Sequence, residues 1–234
     1  SGNDLSAKVS GAQGTVTYTK GTDNSLNGSG AAGGSSVNAS TGAFTAGVCS
    51  TANDNDLTVT VAVKAAGNDY YNEATKNITV TVQKYAKTIA FKSTVPSTMK
   101  YNTTATAAVD ITGSGGTNGS VTYSSGTTSV ITVSGATLTA VAPSGSSVIT
   151  ATMARTSTVK QATTTKTISA AKADNPLTVS NITVYAGTSG NDLSAKVSGA
   201  QGTVTYTKGT DNSLNGSGAA GGSTVNASTG AFTA

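Results

Sequence analysis

The chain has 234 residues, 36% hydrophobic, 5% aromatic and 10% charged, with a net charge of +4; its length suggests two or more domains, and its shortage of charge is marked beside the ~25% of typical globular chains. Ser and Thr fill roughly a third of it, a composition suited to strands and turns rather than helices. With no His, no Trp and a single Cys, the usual general bases, zinc ligands and thiolate pairs are missing, so most enzyme classes are excluded and no catalytic residue or cofactor is expected.

In chain order, residues 1–46 open the sequence and return almost unchanged as residues 189–234, at an offset of 189 minus 1, or 188, with Ser36 against Thr224 as the one difference. Such near-identity marks a recent tandem duplication. Leu57, Val59, Val61 and Val63 then alternate with Thr58, Thr60, Ala62 and Lys64, the period of a half-buried strand. The same alternation recurs at Ile78, Val80 and Val82, at Ile131 and Val133, at Leu177 and Val179, and at Ile182 and Val184. Ser40-Thr41-Gly42 and Ser134-Gly135 fall between such runs, where Gly supplies hairpin turns.

A weaker similarity lies inside the period. Gly14-Thr15-Val16-Thr17-Tyr18 is echoed by Gly119-Ser120-Val121-Thr122-Tyr123, residues 37–46 by residues 131–140, residues 56–61 by residues 147–152, and residues 76–80 by residues 165–169. The period is therefore two diverged modules of about 90–100 residues, the size of a small sandwich domain. The predicted division is 1–84, a module lacking its first strand; 85–174, a complete module; and 175–234, a partial module repeating 1–46. About seven short strands per module, separated by Gly, Ser, Asn and Asp clusters, predict an all-β chain of antiparallel β-sandwiches. Without Trp, the core falls to Val, Ile, Leu and Ala, with Tyr18, Tyr71 and Tyr123 as the larger fillers.

In the central module, Val121-Thr122-Tyr123-Ser124-Ser125, Val130-Ile131-Thr132-Val133, residues 135–141 and Val148-Ile149-Thr150-Ala151 resemble the bacterial immunoglobulin-like domains that occur in tandem in invasin-like and intimin-like surface adhesins. Residues 37–46 and 71–80 resemble the middle hairpin and final strand of the same group. The resemblance covers essentially the whole chain. It implies immunoglobulin-like modules arranged end to end on a cell surface or in an extracellular fibre, and it carries no catalytic residues.

Several residues invite sharper readings. Asp54, Asp56, Asp69 and Glu73 form the only local group of hard oxygen ligands, but calcium needs six to eight oxygens at one point, and the spacing matches no known ligand loop; turn-forming acids are the expectation, without a metal. Glu73, the only Glu, stands near Lys76 and Asn77, yet neighbours on a strand point to opposite faces, which excludes a Lys–Asn cross-link between those two. Cys49 has no partner and reads as a small buried residue. The Gly-rich residues 28–34 lack the Lys of a phosphate loop and read as an inter-strand connection. The Lys residues and Arg155 are scattered singly, as on solvated strand faces, so nucleic acid is not an expected partner. No apolar run reaches the ~18 residues of a membrane span.

The reading that follows is a structural repeat segment of a bacterial surface or extracellular fibre, acting as spacer or stalk. Neighbouring modules are the expected partners. Adhesion to host or cell-surface glycans or proteins would use the loops at residues 24–36 and 113–120. One alternative is a carbohydrate-binding array, for which Tyr70 and Tyr101 are the suggestive aromatics. Another is a subunit of a non-covalent fibre, because residues 175–188 supply to one copy of the repeat the strand that residues 1–84 lack.

Overall fold

The run from Leu57 to Val63 forms a strand in the computed structural model, and its four apolar side chains are 0–7% exposed. Residues 3–25, 33–209 and 222–234 are described. The chain divides into two compact units, Ser1–Lys172 and Ala173–Ala234. Among the described residues it is all-β apart from two single-turn 3-10 helices, Ser6–Lys8 and Ser194–Lys196.

The first half of unit 1 holds β1 (Asn3–Asp4), β2 (Val16–Ser25), β3 (Ser36–Val37), β4 (Ala43–Thr45), β5 (Leu57–Ala65) and β6 (Ala74–Val82). They make two antiparallel sheets, ordered β2-β5-β6 and β1-β4-β3. Between these lie Leu5, Tyr18, Phe44, Cys49 and the inward set of β5. Burying each aliphatic side chain contributes about 1.5–3 kcal/mol. Gly42, at φ +72, closes the β3–β4 hairpin against the Tyr18 ring: a Cβ there would sit 2.7 Å from Cζ.

The second half holds β7 (Thr88–Phe91), β8 (Thr98–Lys100), β9 (Thr104–Thr106), β10 (Val109–Thr112), β11 (Val121–Ser125), β12 (Ile131–Ser134), β13 (Thr137–Ala140), β14 (Ser146–Met153) and β15 (Ala162–Ala171). The sheet β11-β14-β15-β8 faces β12-β13-β9, and β10 pairs β7. All pairs are antiparallel except β15 with β8. Ile131, Leu138, Ile149 and Ile168, all 0% exposed, meet between the two faces, the arrangement of an immunoglobulin-like sandwich. In the sequence β2-β5-β6 corresponds to β11-β14-β15. Tyr18 stands opposite Val63, and Tyr123 opposite Ala151. A Cβ on Gly14 would strike the Ala66 carbonyl, and one on Gly119 the Ala154 carbonyl.

That register corrects two of the internal echoes. If Val63 is the counterpart of Ala151, then Val59 and Val61 correspond to Ser147 and Ile149, all buried, whereas matching residues 56–61 to 147–152 sets buried Leu57 against Val148, which is 45% exposed. The match of residues 76–80 to 165–169 is displaced by one in the same way, since Val63 faces Lys76 and Ala151 faces Thr164. A slip that flips faces costs every inward side chain its burial. Tyr71 is a second correction. It lies in the turn between β5 and β6, 57% exposed, and does not fill the core.

Unit 2 contains β16 (Thr178–Val179), β17 (Asn191–Asp192), β18 (Val197–Ser198), β19 (Thr224–Val225) and β20 (Ala231–Thr233). The sheet β17-β20-β19 repeats β1-β4-β3 residue for residue. β16 pairs antiparallel with β18, and Ser180 N–H donates to the Lys196 carbonyl at 3.0 Å. Ile182 and Val184 alternate in sequence but form no strand.

Candidate functional site

The groups that could serve a mechanical role converge where the two halves of unit 1 meet. Tyr85 follows β6 and forms an isolated parallel bridge with Val159, in the loop between β14 and β15. Tyr85 N–H donates to Thr158 O at 2.8 Å, and Lys160 N–H returns to Tyr85 O at 2.9 Å. From the β4–β5 connection, Cys49 N–H donates to Ser157 O at 3.0 Å. The Tyr85 bonds anchor the opening of the second half to its own β14–β15 loop, while the Cys49–Ser157 bond ties one half to the other.

Charge reinforces this contact. Arg155, the only arginine, donates through Nη1 to Ala52 O at 2.8 Å and places Nε 3.2 Å from Asp54 Oδ1, too poorly angled for a hydrogen bond. Asp54 Oδ1 also accepts Gln161 N–H at 3.0 Å. Lys160 Nζ lies 3.4 Å from Asp56 Oδ1, which accepts Lys84 N–H at 3.3 Å. Lys84 is only 4% exposed, and its Nζ donates to Asn53 O at 2.6 Å. The loop at 113–120 packs within the second half: Gly115 and Gly116, at φ +69 and +65, lie against the Tyr85 ring and Val159, where a side chain would collide. Thr117 O accepts Thr156 Oγ1–H at 3.3 Å. This loop, expected to bind a surface partner, is therefore partly packed against its own half, while residues 24–36 lie largely outside the described residues, as does most of the Gly-rich 28–34.

Burial is the main influence on the Lys84 ammonium and holds its pKa below the usual lysine value of 10.5, with Asp54 opposing the shift. The folded protein therefore loses this proton at lower pH than the unfolded chain. Below 10.5 the unfolded chain binds more protons, so this group's contribution to stability rises with pH. Burial pushes the Tyr123 phenol up, which acts in the opposite sense above its ordinary 10.0. The urea midpoint of the wild-type chain is expected to climb between neutral pH and the lysine range, and the climb to shrink in Lys84→Met. Equal slopes in both proteins would refute the assignment.

The four acidic residues do not come together. Asp54 and Asp56 precede β5, Asp69 and Glu73 follow it, and a nine-residue strand separates the pairs by about 30 Å. Glu73 pairs with Lys64 at 2.7 Å on the surface. Among the described residues no group of three or more His, Cys, Asp or Glu could hold a metal ion. Cys49 is 2% exposed, and its thiol donates to Val82 O at 3.3 Å. Tyr70 and Tyr101 are 89% and 46% exposed but belong to different halves of unit 1. What the sequence reading missed is the pairing of Asp54 and Asp56 with Arg155 and Lys160, about 100 residues away. The one available signal was the solitary arginine, since Arg is favoured where an ion pair must be partly desolvated.

No protein-family model matches the chain, and no curated protein matches it. Among solved structures it is similar to domains 4 and 5 of the S-layer protein SbsC, at 21% identity over 67% of this chain and 70% of that one, with a TM-score of 0.31. It is similar to SbsC domains 1–6 at 20% identity over 80% of this chain and 24% of that one, TM-score 0.33. Extracellular cadherin domains 3–6 of protocadherin gamma B2 align at 16% identity over 96% of this chain and 60% of that one, TM-score 0.29. The chain thus spans about a quarter of the six-domain SbsC structure. At these identities and scores the likenesses carry no functional argument, which rests on the chain's own residues.

Proposed function

We propose that the chain is a structural segment of an extracellular, cell-surface array, with modules 1–84, 85–174 and 175–234 in series acting as a spacer or stalk, and without enzymatic activity. The observation that carries this reading is the contact between the halves of unit 1, where the backbone bond from Cys49 to Ser157 combines with the Arg155–Asp54 and Lys160–Asp56 pairs. A contact of this kind resists bending. The near-identical repeat at an offset of 188 adds that length is adjusted by copying units. Calcium is not part of the proposal, because the joint acids are already neutralised by Arg155 and Lys160. Adhesion to a surface glycan or protein would be a secondary use of exposed loops.

Small-angle scattering on proteins of one and two full repeats, with and without a calcium chelator, tests this. The maximum dimension is expected to grow in proportion to repeat number and to ignore the chelator. A compact particle, or one that collapses or bends on chelation, would overturn the reading.

A further inference from the structure

Asn38, Asn68 and Asn226 each accept the backbone N–H groups two and three residues on, which holds their side chains in a turn. Asn118 is placed differently. It is exposed in the loop leading to β11, and among the described residues neither its side chain nor the Gly119 N–H has a hydrogen-bond partner. The backbone on either side is held to the β14–β15 loop. Thr117 O accepts Thr156 Oγ1–H at 3.3 Å, Ser120 O accepts Ala154 N–H at 2.8 Å, and Gly119 lies so close to the Ala154 carbonyl that only glycine fits.

A free Asn side chain followed by an unbonded glycine nitrogen is set up to react with itself, because glycine has no side chain to shield that nitrogen. The Gly119 nitrogen attacks Asn118 Cγ. The new N–Cγ bond closes a five-membered succinimide, the Cγ–Nδ2 bond breaks, and the amide proton leaves with the nitrogen as ammonia. Water then opens the ring at one carbonyl to give aspartate, or at the other to give isoaspartate, whose main chain runs through Cβ and Cγ. Either product lowers the net charge of +4 by one. At the matching position of the first half Gln13 precedes Gly14, and in unit 2 Gln201 precedes Gly202; glutamine would have to close a larger ring, so this position is reactive in the second half alone.

We propose that Asn118 is a site of spontaneous modification, converting to isoaspartate and aspartate as the folded protein ages and thereby unseating the β14–β15 loop. Isoaspartate inserts an extra backbone atom beside Gly119, where the fit to Ala154 leaves no room. Arg155, Ser157 and Lys160 reach the first half from that loop. The modification does not depend on the spacer reading; the meaning of a loosened joint rests on it.

The 234-residue chain held at mildly alkaline pH for several weeks, beside a synthetic peptide of residues 114–122, tests the proposal. Fragment-ion mass spectrometry locates each conversion, and an isoaspartyl methyltransferase counts the isoaspartate. Asn118 is expected to convert about tenfold or more faster than Asn38 and Asn68, whose side chains must first give up two hydrogen bonds. Scoring by position keeps apart Asn27-Gly28 and Asn215-Gly216, the two other Asn-Gly pairs of the sequence. An Asn118 that stays intact while the peptide converts overturns the site. Urea unfolding tests the consequence: the aged wild type should unfold at lower urea than fresh protein, beyond any change in Asn118→Gln aged in parallel, and fresh Asn118→Asp, which adds the charge without the backbone atom, should match fresh wild type. A midpoint that does not move after conversion, or a fall that fresh Asn118→Asp reproduces in full, overturns the unseating of the loop.

Discussion

Ile149→Ala is expected to lower the stability of the second sandwich by about 2–5 kcal/mol, whereas Val148→Ala, one residue away, changes it by less than about 0.5 kcal/mol. Ile149 is 0% exposed and lies among Ile131, Leu138 and Ile168, so truncation leaves a cavity between the two sheets. Val148 is 45% exposed on the opposite face of the same strand. Urea unfolding followed by circular dichroism measures both. Comparable losses from the two substitutions would mean that β14 is set in the other register, the one suggested by matching residues 147–152 to 56–61.

Asp54→Lys should uncouple the halves of unit 1 at a cost of about 2–3 kcal/mol, because it replaces an accepting carboxylate with a cation beside Arg155. The ion pair alone is worth about 1 kcal/mol or less, since its side chains are 37% and 30% exposed and solvent screens them. The larger share comes from losing the acceptor for Gln161 N–H and from repulsion among Arg155, Lys84, Lys160 and the new lysine. Calorimetry should resolve the single unfolding step of unit 1 into two, with each half keeping its own core. An unchanged, single transition would show that the Cys49–Ser157 and Arg155–Ala52 bonds suffice, and that the Asp54 charge is incidental.

Much of the fold is legible in sequence because a sheet with one wet face enforces period two. Leu57, Val59, Val61 and Val63 declare their burial by alternating with Thr and Lys, and β12, β13 and β14 follow the same rule. The joint is far less legible. Asp54 and Asp56 read as ordinary turn residues, since nothing near them in sequence states that Arg155 and Lys160 will arrive from the β14–β15 loop. Tyr71 departs from the core expectation for a related reason: its size suits a core, but turn geometry between β5 and β6 directs it outward.

The near-identical stretches 1–46 and 189–234 separate the two contributions most sharply. Local hydrogen bonding within the sequence sets what both share: the turn in which Ser6 or Ser194 N–H donates to Asp4 or Asp192, the hairpin closed at Gly42 or Gly230, and the pairing of Phe44 or Phe232 with Val37 or Val225 of the strand before it. What differs is decided by neighbours. Residues 16–20 are a strand with Tyr18 4% exposed because β5 lies alongside, while the same Val-Thr-Tyr-Thr-Lys at 204–208 pairs with no strand among the described residues and forms none. Phe44 is buried and Phe232 only half-buried for the same reason. The sequence determined the period, the turns and the repeat. Which strands form, and which apolar faces are covered, was decided by tertiary structure, because a strand's hydrogen bonds and its burial both belong to a partner that alternation cannot supply.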